Sequence, residues 1–302
     1  MLKTLVKNSY KNKHPEYQYI DLINDIIENG GVVDARNGNT LCSIGAAMHF
    51  SLENNSIPIL TTKKVAIKTC LKELLWFIRG QTNNEILKKQ NVRIWDLNAT
   101  REFLDSRGLF DNEENDLGPI YGHQWRHFNA SYTNCHDDYN NKGIDQLEKV
   151  INDLKNPKTR YSRRHIVCAW NPCQLDEMAL PPCHVLFQFH VTQDDKLSCT
   201  LYQRSGDVGL GVPFNIFSYS AFTHLIAHHC GLKPYEFIYF LGNAHIYENH
   251  VDALKEQVTK TPYEFPTISI NSIKENINDY ELNDFEINNY VCHEKVKMDM
   301  VQ

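Results

Sequence analysis

The sequence predicts an α+β fold in which helices are layered on a mixed β-sheet, and three observations lead to this class. Helix-like and strand-like segments are interspersed along the 302 residues without a regular βαβ alternation. The apolar fraction of 42% and the charged fraction of 23% are typical of a globular chain. No internal repeat, heptad run or Pro-rich linker divides the chain. We therefore expect a single domain over 1–302, with residues 1–16 as a flexible tail.

Amphipathic periodicity predicts the helices. They are expected over 19–29, 64–79 and 217–230, and each segment is followed at once by glycine, the residue that most often ends a helix. Stretches rich in Asn and Asp at 108–117, 129–143 and 273–286 are predicted to be surface loops.

Three short β-rich runs, HIVCAW (165–170), HVLFQFHV (184–191) and LSCTLYQ (197–203), are separated by prolines and an Asp-Asp turn. We expect them to form neighbouring strands. In the second run, Phe187 and Phe189 alternate with Leu186, Gln188 and His190. One face therefore packs in the core, and the sequence leaves open whether the polar face lines a ligand site or faces solvent.

Composition excludes several classes of protein. A formal net charge of −6 gives no overall field that would attract nucleic acid or an anionic membrane, so an anionic ligand needs a local basic cluster. The chain has no window of eighteen apolar residues, and its N-terminus lacks the apolar core of a signal peptide. We expect a cytoplasmic protein without a membrane segment. Nine cysteines without a C-x-x-C pair indicate reduced thiols instead of disulfides or a Cys-rich metal site.

Two side chains stand in unusual sequence contexts. Cys183 follows two prolines and directly precedes a strand. Core packing is the commoner role for a free cysteine, and a nucleophile at the lip of a pocket is the alternative. Glu73 lies in the apolar run LKELLWFI. The residues alone favour an exposed edge of the helix for Glu73, whereas burial would raise its pKa and suit it to proton transfer.

Arginines supply the candidate anion site. Arg204-Ser205 offers a guanidinium fork beside a hydroxyl group, Arg163-Arg164 offers two further forks, and Arg36 a fourth. For each arginine taken alone, a surface salt bridge is the more common role.

Two further motifs concern small ligands. The glycines of QRSGDVGLGVPFN, residues 203–215, have neither the dinucleotide-binding nor the Walker A spacing. His245 and Tyr247 are two residues apart and would share one face of a strand. Their spacing suits hydrogen bonding to a sugar hydroxyl better than a zinc site that includes His250.

Taken together, these segments resemble the thymidylate synthase family from about residue 17 to the C-terminus. The family's motifs stand in order as ELLWFIRG, IWD, DLGPIYGHQWRHF, SRRHIVCAWNP, MALPPCH, YQRSGDVGLGVPFN and GNAHIY, and VKMDM resembles its C-terminal lid. The insertions and C-terminus are similar to those of eukaryotic members. The resemblance implies a thymidylate synthase-like fold and a homodimer in which the sheets pack back to back.

The resemblance also implies a reaction, the conversion of dUMP to dTMP. The cosubstrate would be 5,10-methylenetetrahydrofolate, which is converted to dihydrofolate, and no metal is expected. Cys183 is the implied nucleophile that adds to C6 of uracil. Glu73 is the implied buried carboxylate that organises water and proton transfers, which reverses the interpretation from the residues alone. Tyr121 and His184 are implied in the proton relay and its water network.

The resemblance assigns the remaining site residues either to the nucleotide or to folate. Asn215 selects uracil, because its amide both donates and accepts, whereas related cytosine-modifying enzymes have aspartate there. The implied phosphate site contains Arg36, Arg204 and Ser205, together with Arg163 and Arg164 from the other subunit. The implied deoxyribose site contains His245 and Tyr247, and Gln203 is a further residue that binds the nucleotide. Folate contacts Trp95, Asn98, Asp207, Gly211 and Phe214, and Asp207 is also counted as catalytic.

The sequence departs from the family pattern at several points: a shorter loop after Arg36, AAMHF in place of a stretch with glutamine and arginine, His190 for tyrosine, Asn243 for aspartate, and Gln302 for an apolar residue. Altered lid closure would suit a dUMP hydroxymethylase, in which water replaces the hydride. A catalytically inactive homologue that binds nucleotide or RNA is the alternative from another class. Every matched catalytic position is retained, which argues against the inactive homologue, and no motif of the sequence indicates RNA binding.

Overall fold

The computed structural model describes residues 9–35 and 38–300. In this part of the chain the helices are α1 (Tyr17–Asn29), α2 (Ile67–Ile78), α3 (Asn84–Lys89), α4 (Arg101–Ser106), α5 (Tyr121–His127), α6 (Gln146–Lys155), α7 (Gly211–Cys230) and α8 (Val251–Gln257). The strands are β1 (Gly31–Ala35), β2 (Gly38–Ser51), β3 (Ile166–Cys168), β4 (His184–Val191), β5 (Lys196–Asp207), β6 (Lys233–Tyr247), β7 (Thr267–Ile270) and β8 (Phe285–Asn288).

A six-stranded sheet in the order β1-β2-β6-β5-β4-β3 organises the fold. Strands β5 and β6 pair in parallel, and the other neighbouring strands of this sheet are antiparallel. The sheet is therefore mixed, and the predicted α+β class is confirmed. Strands β7 and β8 form a separate antiparallel pair.

Helix α7 is the centre of the core and packs against β5 and β6. Its side chains are buried on nearly all sides, and Phe222 contacts the rings of Trp125 and Phe187 at centroid distances of 5.5 and 5.3 Å. The helix begins six residues earlier than predicted, at Gly211 instead of residue 217. Gly211 and Pro213 resemble loop residues, but in a first helical turn the backbone N–H groups need no partner within the helix.

The predicted helices over 19–29 and 64–79 are confirmed with small shifts at their ends. The three β-rich runs form adjacent strands as predicted, but β5 continues to Asp207 and carries Arg204 and Ser205 on the sheet. The segment after Arg36, taken as a loop, is instead strand β2, in which Cys42 pairs with His245 and Thr40 with Tyr247. Apolar and polar residues alternate only weakly in this segment, so its sequence did not indicate a strand.

The two faces of β4 and β5 differ as the alternation predicts. Phe187, Phe189, Leu197, Cys199 and Leu201 are buried against the core. The opposite face, here called the outer face, carries Gln188, His190, Thr200 and Tyr202, and Tyr202 is 43% exposed.

Glu16 lies at the end of the expected tail and is fully buried. Its carboxylate accepts hydrogen bonds from the backbone N–H and hydroxyl groups of Thr61 and Thr62. The predicted loop at 273–286 contains two 3-10 turns and ends in β8. None of the described helices is long and apolar enough to cross a membrane.

Candidate active site

A cavity of about 1120 Å³ opens where β5 and β6 end and α7 begins. Most of the predicted site residues line it: Glu73, Trp95, Asn98, Tyr121, Cys183, His184, Gln203, Arg204, Ser205, Asp207, Gly211, Phe214, Asn215, His245 and Tyr247. These residues come from seven separate segments of the chain, so the fold brings together side chains that are up to 174 positions apart in the sequence.

Cys183 is held from both sides at the cavity wall. Its backbone N–H donates to the hydroxyl oxygen of Tyr121 at 2.8 Å, and its carbonyl accepts from the backbone N–H of Arg204 at 2.9 Å. The Arg204 guanidinium donates to the carbonyls of Pro181 and Pro182 at 2.8 and 2.9 Å. The two prolines therefore present the acceptors that place a positive charge beside the thiol.

The pKa of the Cys183 thiol is raised by burial, and the charge of Arg204 opposes part of that rise. The charge of Arg204 therefore favours the thiolate, but desolvation is the larger effect. The side chain remains partly exposed to the cavity.

Glu73 extends from α2 into the cavity wall, where its carboxylate accepts from Trp95 Nε1 at 2.8 Å. Burial raises the pKa of Glu73 to about 7, and the bond from Trp95 only partly opposes this. The interpretation from the residues alone, an exposed edge of the helix, is wrong. A carboxyl group with this pKa changes protonation state near neutral pH and can both accept and return a proton.

The rings of Tyr121 and His184 contact each other beside Cys183, with a centroid distance of 5.1 Å and an angle of 55° between their planes. Burial lowers the pKa of His184 to about 4, so its ring is neutral at neutral pH. Burial also raises the pKa of Tyr121 well above its ordinary value, which keeps the hydroxyl protonated. Both groups can therefore relay protons through hydrogen bonds without carrying charge.

Asn215 projects from the first turns of α7 and lies near the hydroxyl of Tyr239. The Tyr239 hydroxyl lies 2.6 Å from Gln203 Oε1 and 3.5 Å from Asn215 Oδ1. Gln203 also donates from Nε2 to the carbonyl of Ser205 at 2.9 Å. Both polar ends of Gln203 are thus bonded within the protein, where they fix the end of β5 and the position of Tyr239.

His245 and Tyr247 lie on the same face of β6, as predicted, with their rings edge to face at 5.4 Å. Asn243 Oδ1 is 3.1 Å from His245 Nδ1. Because an amide oxygen only accepts, Nδ1 carries the hydrogen and Nε2 is left as an acceptor. Burial lowers the pKa of His245, which favours this neutral form.

Asp207 and the glycines after it form the turn into α7. Asp207 Oδ1 accepts from the Gly209 N–H at 2.8 Å. A Cβ atom at position 209 would lie 2.9 Å from His250 Nδ1 and 3.1 Å from Met298 Sδ, whereas one at 211 would meet protein atoms only at 3.8 Å or more. The packing of the chain therefore demands glycine at Gly209, while Gly211 borders the open cavity.

The structure adds basic residues that the sequence interpretation missed. Lys63, Lys64, Arg107 and Lys295 line the cavity together with Arg204. Lys63 is buried, donates to the carbonyl of Gly209, and has its pKa lowered to about 8 by burial. Two adjacent lysines before a helix ordinarily indicate a solvated surface, so nothing in the pattern TTKKV marked them. The local basic cluster that an anionic ligand requires is present.

The C-terminal segment covers part of the cavity. Val296, Met298 and Met300, from the motif taken as a lid, are lining residues. The fully buried His250 lies with its Nε2 atom 2.7 Å from the Asp299 carbonyl oxygen, which ties this segment to the end of β6.

Some predicted residues lie elsewhere. Arg163 and Arg164 are exposed before β3 and are not among the described residues that line the cavity. His190, one of the departures from the family pattern, lies opposite Ser198 on the outer face and is not among the described residues that line the cavity. Arg36 and Gln302 fall outside the described residues.

Comparisons with known proteins agree on one family. A family model described as thymidylate synthase matches residues 17–302. The bifunctional dihydrofolate reductase-thymidylate synthase of Plasmodium chabaudi is 57% identical over 297 residues, which cover 98% of this chain and 50% of that protein. Thymidylate synthase 1/2 of Encephalitozoon cuniculi is 50% identical over 292 residues, which cover 95% of this chain and 98% of that protein. The chain spans about half the length of the bifunctional relatives that it matches.

Proposed function

The chain belongs to the thymidylate synthase family, and from this premise we propose that it converts dUMP to dTMP with 5,10-methylenetetrahydrofolate as cosubstrate and dihydrofolate as the second product. The observation that carries the proposal is the pairing of a nucleophile with a proton-transfer group in one cavity. Cys183 is held beside Arg204 and Tyr121, and the same cavity contains Glu73 with a pKa of about 7.

The size and charge of the cavity suit two anionic ligands. Its volume of about 1120 Å³ exceeds the roughly 300 to 1,000 Å³ of ordinary small-molecule sites. Among the residues that the structure describes, five basic side chains line it, against the carboxylates of Glu73 and Asp207. A nucleotide phosphate and the carboxylates of a folate would both be attracted there.

The first chemical step would use the Cys183 thiolate. Its sulfur adds to C6 of uracil, the C5–C6 π electrons move toward C5 and O4, and the thiol proton leaves to water. Arg204 favours the thiolate form of Cys183, which offsets part of the cost of burial. The methylenetetrahydrofolate, when bound, supplies the one-carbon unit and the hydride that together become the new methyl group.

Proton transfers would then fall to Glu73. Its carboxyl group can donate toward O4 of the pyrimidine through water and accept a proton as C5 loses its hydrogen. Expulsion of the Cys183 thiolate restores the C5–C6 double bond. The neutral rings of Tyr121 and His184 would hold the intervening water without competing for the proton.

Recognition of the nucleotide would be divided among three groups. Asn215 offers its amide donor and acceptor to O4 and N3–H of uracil. His245 Nε2 would accept a hydrogen bond from the 3′-hydroxyl, because Asn243 occupies Nδ1. Arg204 and Ser205 would bind the phosphate, which we also assign to Arg36.

We further propose a symmetric homodimer in which the outer faces of two sheets pack together and Arg163 and Arg164 reach the partner's phosphate site. Both arginines are exposed and lie away from the cavity of their own chain. Mixing a Cys183→Ser subunit with an Arg163→Glu/Arg164→Glu subunit should restore activity, since one of the two sites in the hybrid would be intact. Absence of any recovery in subunits that demonstrably exchange would contradict this arrangement.

The main experiment mixes the purified protein with dUMP and methylenetetrahydrofolate and follows dihydrofolate by absorbance. We expect dihydrofolate and dTMP in equal amounts, and their loss in the Cys183→Ser variant. Release of tetrahydrofolate with a hydroxymethylated nucleotide would instead show that water traps the intermediate and would overturn the proposed reaction.

A further inference from the structure

A second group of reactive side chains lies outside the cavity, on the two loops rich in Asn and Asp. Glu113, from the first loop, meets Cys135 and His136, from the second. Glu113 Oε1 forms a short contact with His136 Nε2 and lies 3.7 Å from Cys135 Sγ. Among the described residues, this is the one cluster in which three such groups place their ligand atoms within 4.8 Å of one another.

Asp116 holds the two loops in this position. It is fully buried, and its Oδ2 atom accepts from the backbone N–H of Cys135 at 3.0 Å. Its Oδ1 atom accepts from the Tyr132 hydroxyl at 2.6 Å and from the Gly118 N–H at 2.9 Å. The approach of Cys135 to Glu113 is therefore fixed by a buried anchor.

Two carboxylates lie near the Cys135 thiol. Burial and the nearby carboxylates of Asp116 and Glu113 raise the pKa of the Cys135 thiol to about 12. A thiol that coordinates a divalent cation gives up its proton, so a metal ion between these groups would hold Cys135 as the thiolate.

We propose that Glu113, Cys135 and His136 bind one Zn²⁺ ion, with water as the fourth ligand. Thiolate, imidazole and carboxylate are the ligands that zinc takes in proteins. With Zn–S of about 2.3 Å and Zn–O of about 2.1 Å, a tetrahedral site separates sulfur from oxygen by about 3.6 Å, close to the observed 3.7 Å.

Zinc binding would replace the contact between Glu113 and His136 with bonds from both side chains to the metal. The contact between Glu113 and His136 must open so that both atoms turn toward the metal, and Cys135 releases its proton to solvent. The affinity for zinc should therefore rise with pH. Glu113 and His136 are more than half exposed, so the rearrangement needs no repacking of the core.

The test uses Co²⁺ as a spectroscopic substitute for Zn²⁺. In the full chain carrying Cys183→Ser, which removes the reactive thiol of the cavity, we expect one equivalent of Co²⁺ to produce a thiolate-to-cobalt charge-transfer band that Zn²⁺ abolishes. Adding Cys135→Ser should eliminate the band, and His136→Ala should weaken Co²⁺ binding at least ten-fold. Cys173→Ser, at an exposed cysteine outside the cluster, is the control and should leave the band unchanged.

Two results would overturn the proposal. One is the absence of a charge-transfer band at one equivalent of Co²⁺, which would leave Glu113 and His136 as a surface hydrogen-bonded pair. The other is a band that persists after Cys135→Ser, which would place the metal at a different thiol. Circular dichroism of each variant shows whether the fold is retained.

Discussion

Strands β4 and β5 pass through two different environments, and the contrast between them locates the site. At the cavity end, Cys183 and Arg204 are joined by a backbone hydrogen bond, and the pairing is irregular between His184 and Leu186. Farther along the same strands, the outer face is polar as well, yet it contributes nothing to the cavity among the described residues. Polar residues on a strand face therefore do not by themselves identify a ligand site. The site lies at the ends of the strands, where prolines and a bulge redirect the side chains.

The largest effect after loss of the nucleophile should come from Glu73, at the cavity end. We expect Glu73→Gln to lower kcat/KM by about 10² to 10³-fold, because an amide keeps the bond from Trp95 but cannot exchange a proton. The pH–rate profile should also lose its inflection near pH 7. Glu85→Gln, an exposed carboxylate on the neighbouring helix α3, is the control. Activity within threefold of the unmodified protein would remove Glu73 from the mechanism.

The same substitution should make the protein more stable at high pH. The pKa of Glu73 is raised from 4.5 to about 7 in the folded state, so the folded state binds more protons and loses stability as pH rises through that window. Above pH 7 the ionised carboxylate costs at most about 3 kcal/mol. Urea unfolding should show Glu73→Gln more stable than the unmodified protein at pH 8 and equal to it at pH 4. A difference independent of pH would contradict the raised pKa.

A smaller change is expected from Asn215→Asp, which alters the partner of the pyrimidine but not the nucleophile. We expect the preference for dUMP over dCMP to fall by about 100-fold, because an aspartyl group accepts from the 4-amino group of cytosine and no longer matches uracil. Competition between the two nucleotides measures the ratio directly. An unchanged ratio would refute the role of Asn215 in base selection.

The smallest effect should come from the outer face. His190→Tyr should change the KM for dUMP by less than about twofold, because residue 190 lies opposite Ser198 and outside the cavity lining. Steady-state kinetics at saturating cosubstrate would show this. A change in KM comparable with that of Asn215→Asp would mean that the outer face and the cavity are coupled.

Local patterns predicted the α+β class, the principal helices and the exact span of β4, because periodicity and glycine stops act over a few residues. They could not predict that Glu73 faces a cavity, since the helix is apolar around most of its circumference and only its neighbours α5 and α7 decide which side is covered. Strand β2 and Lys63 were missed for the same reason: their positions depend on β6 and on Gly209, which are far away in the sequence. The motif resemblance predicted which residues share the site, whereas the contacts between them could be described only from the structure.

The most direct test of the central claim, that Cys183 activates the pyrimidine by adding to C6, is release of tritium from [5-³H]dUMP in the presence of methylenetetrahydrofolate. Loss of the C5 hydrogen follows only after the sulfur has added to the ring. We predict that the unmodified protein releases tritium in step with dTMP formation and that Cys183→Ser releases none above background. Release by Cys183→Ser at the rate of the unmodified protein would contradict the account.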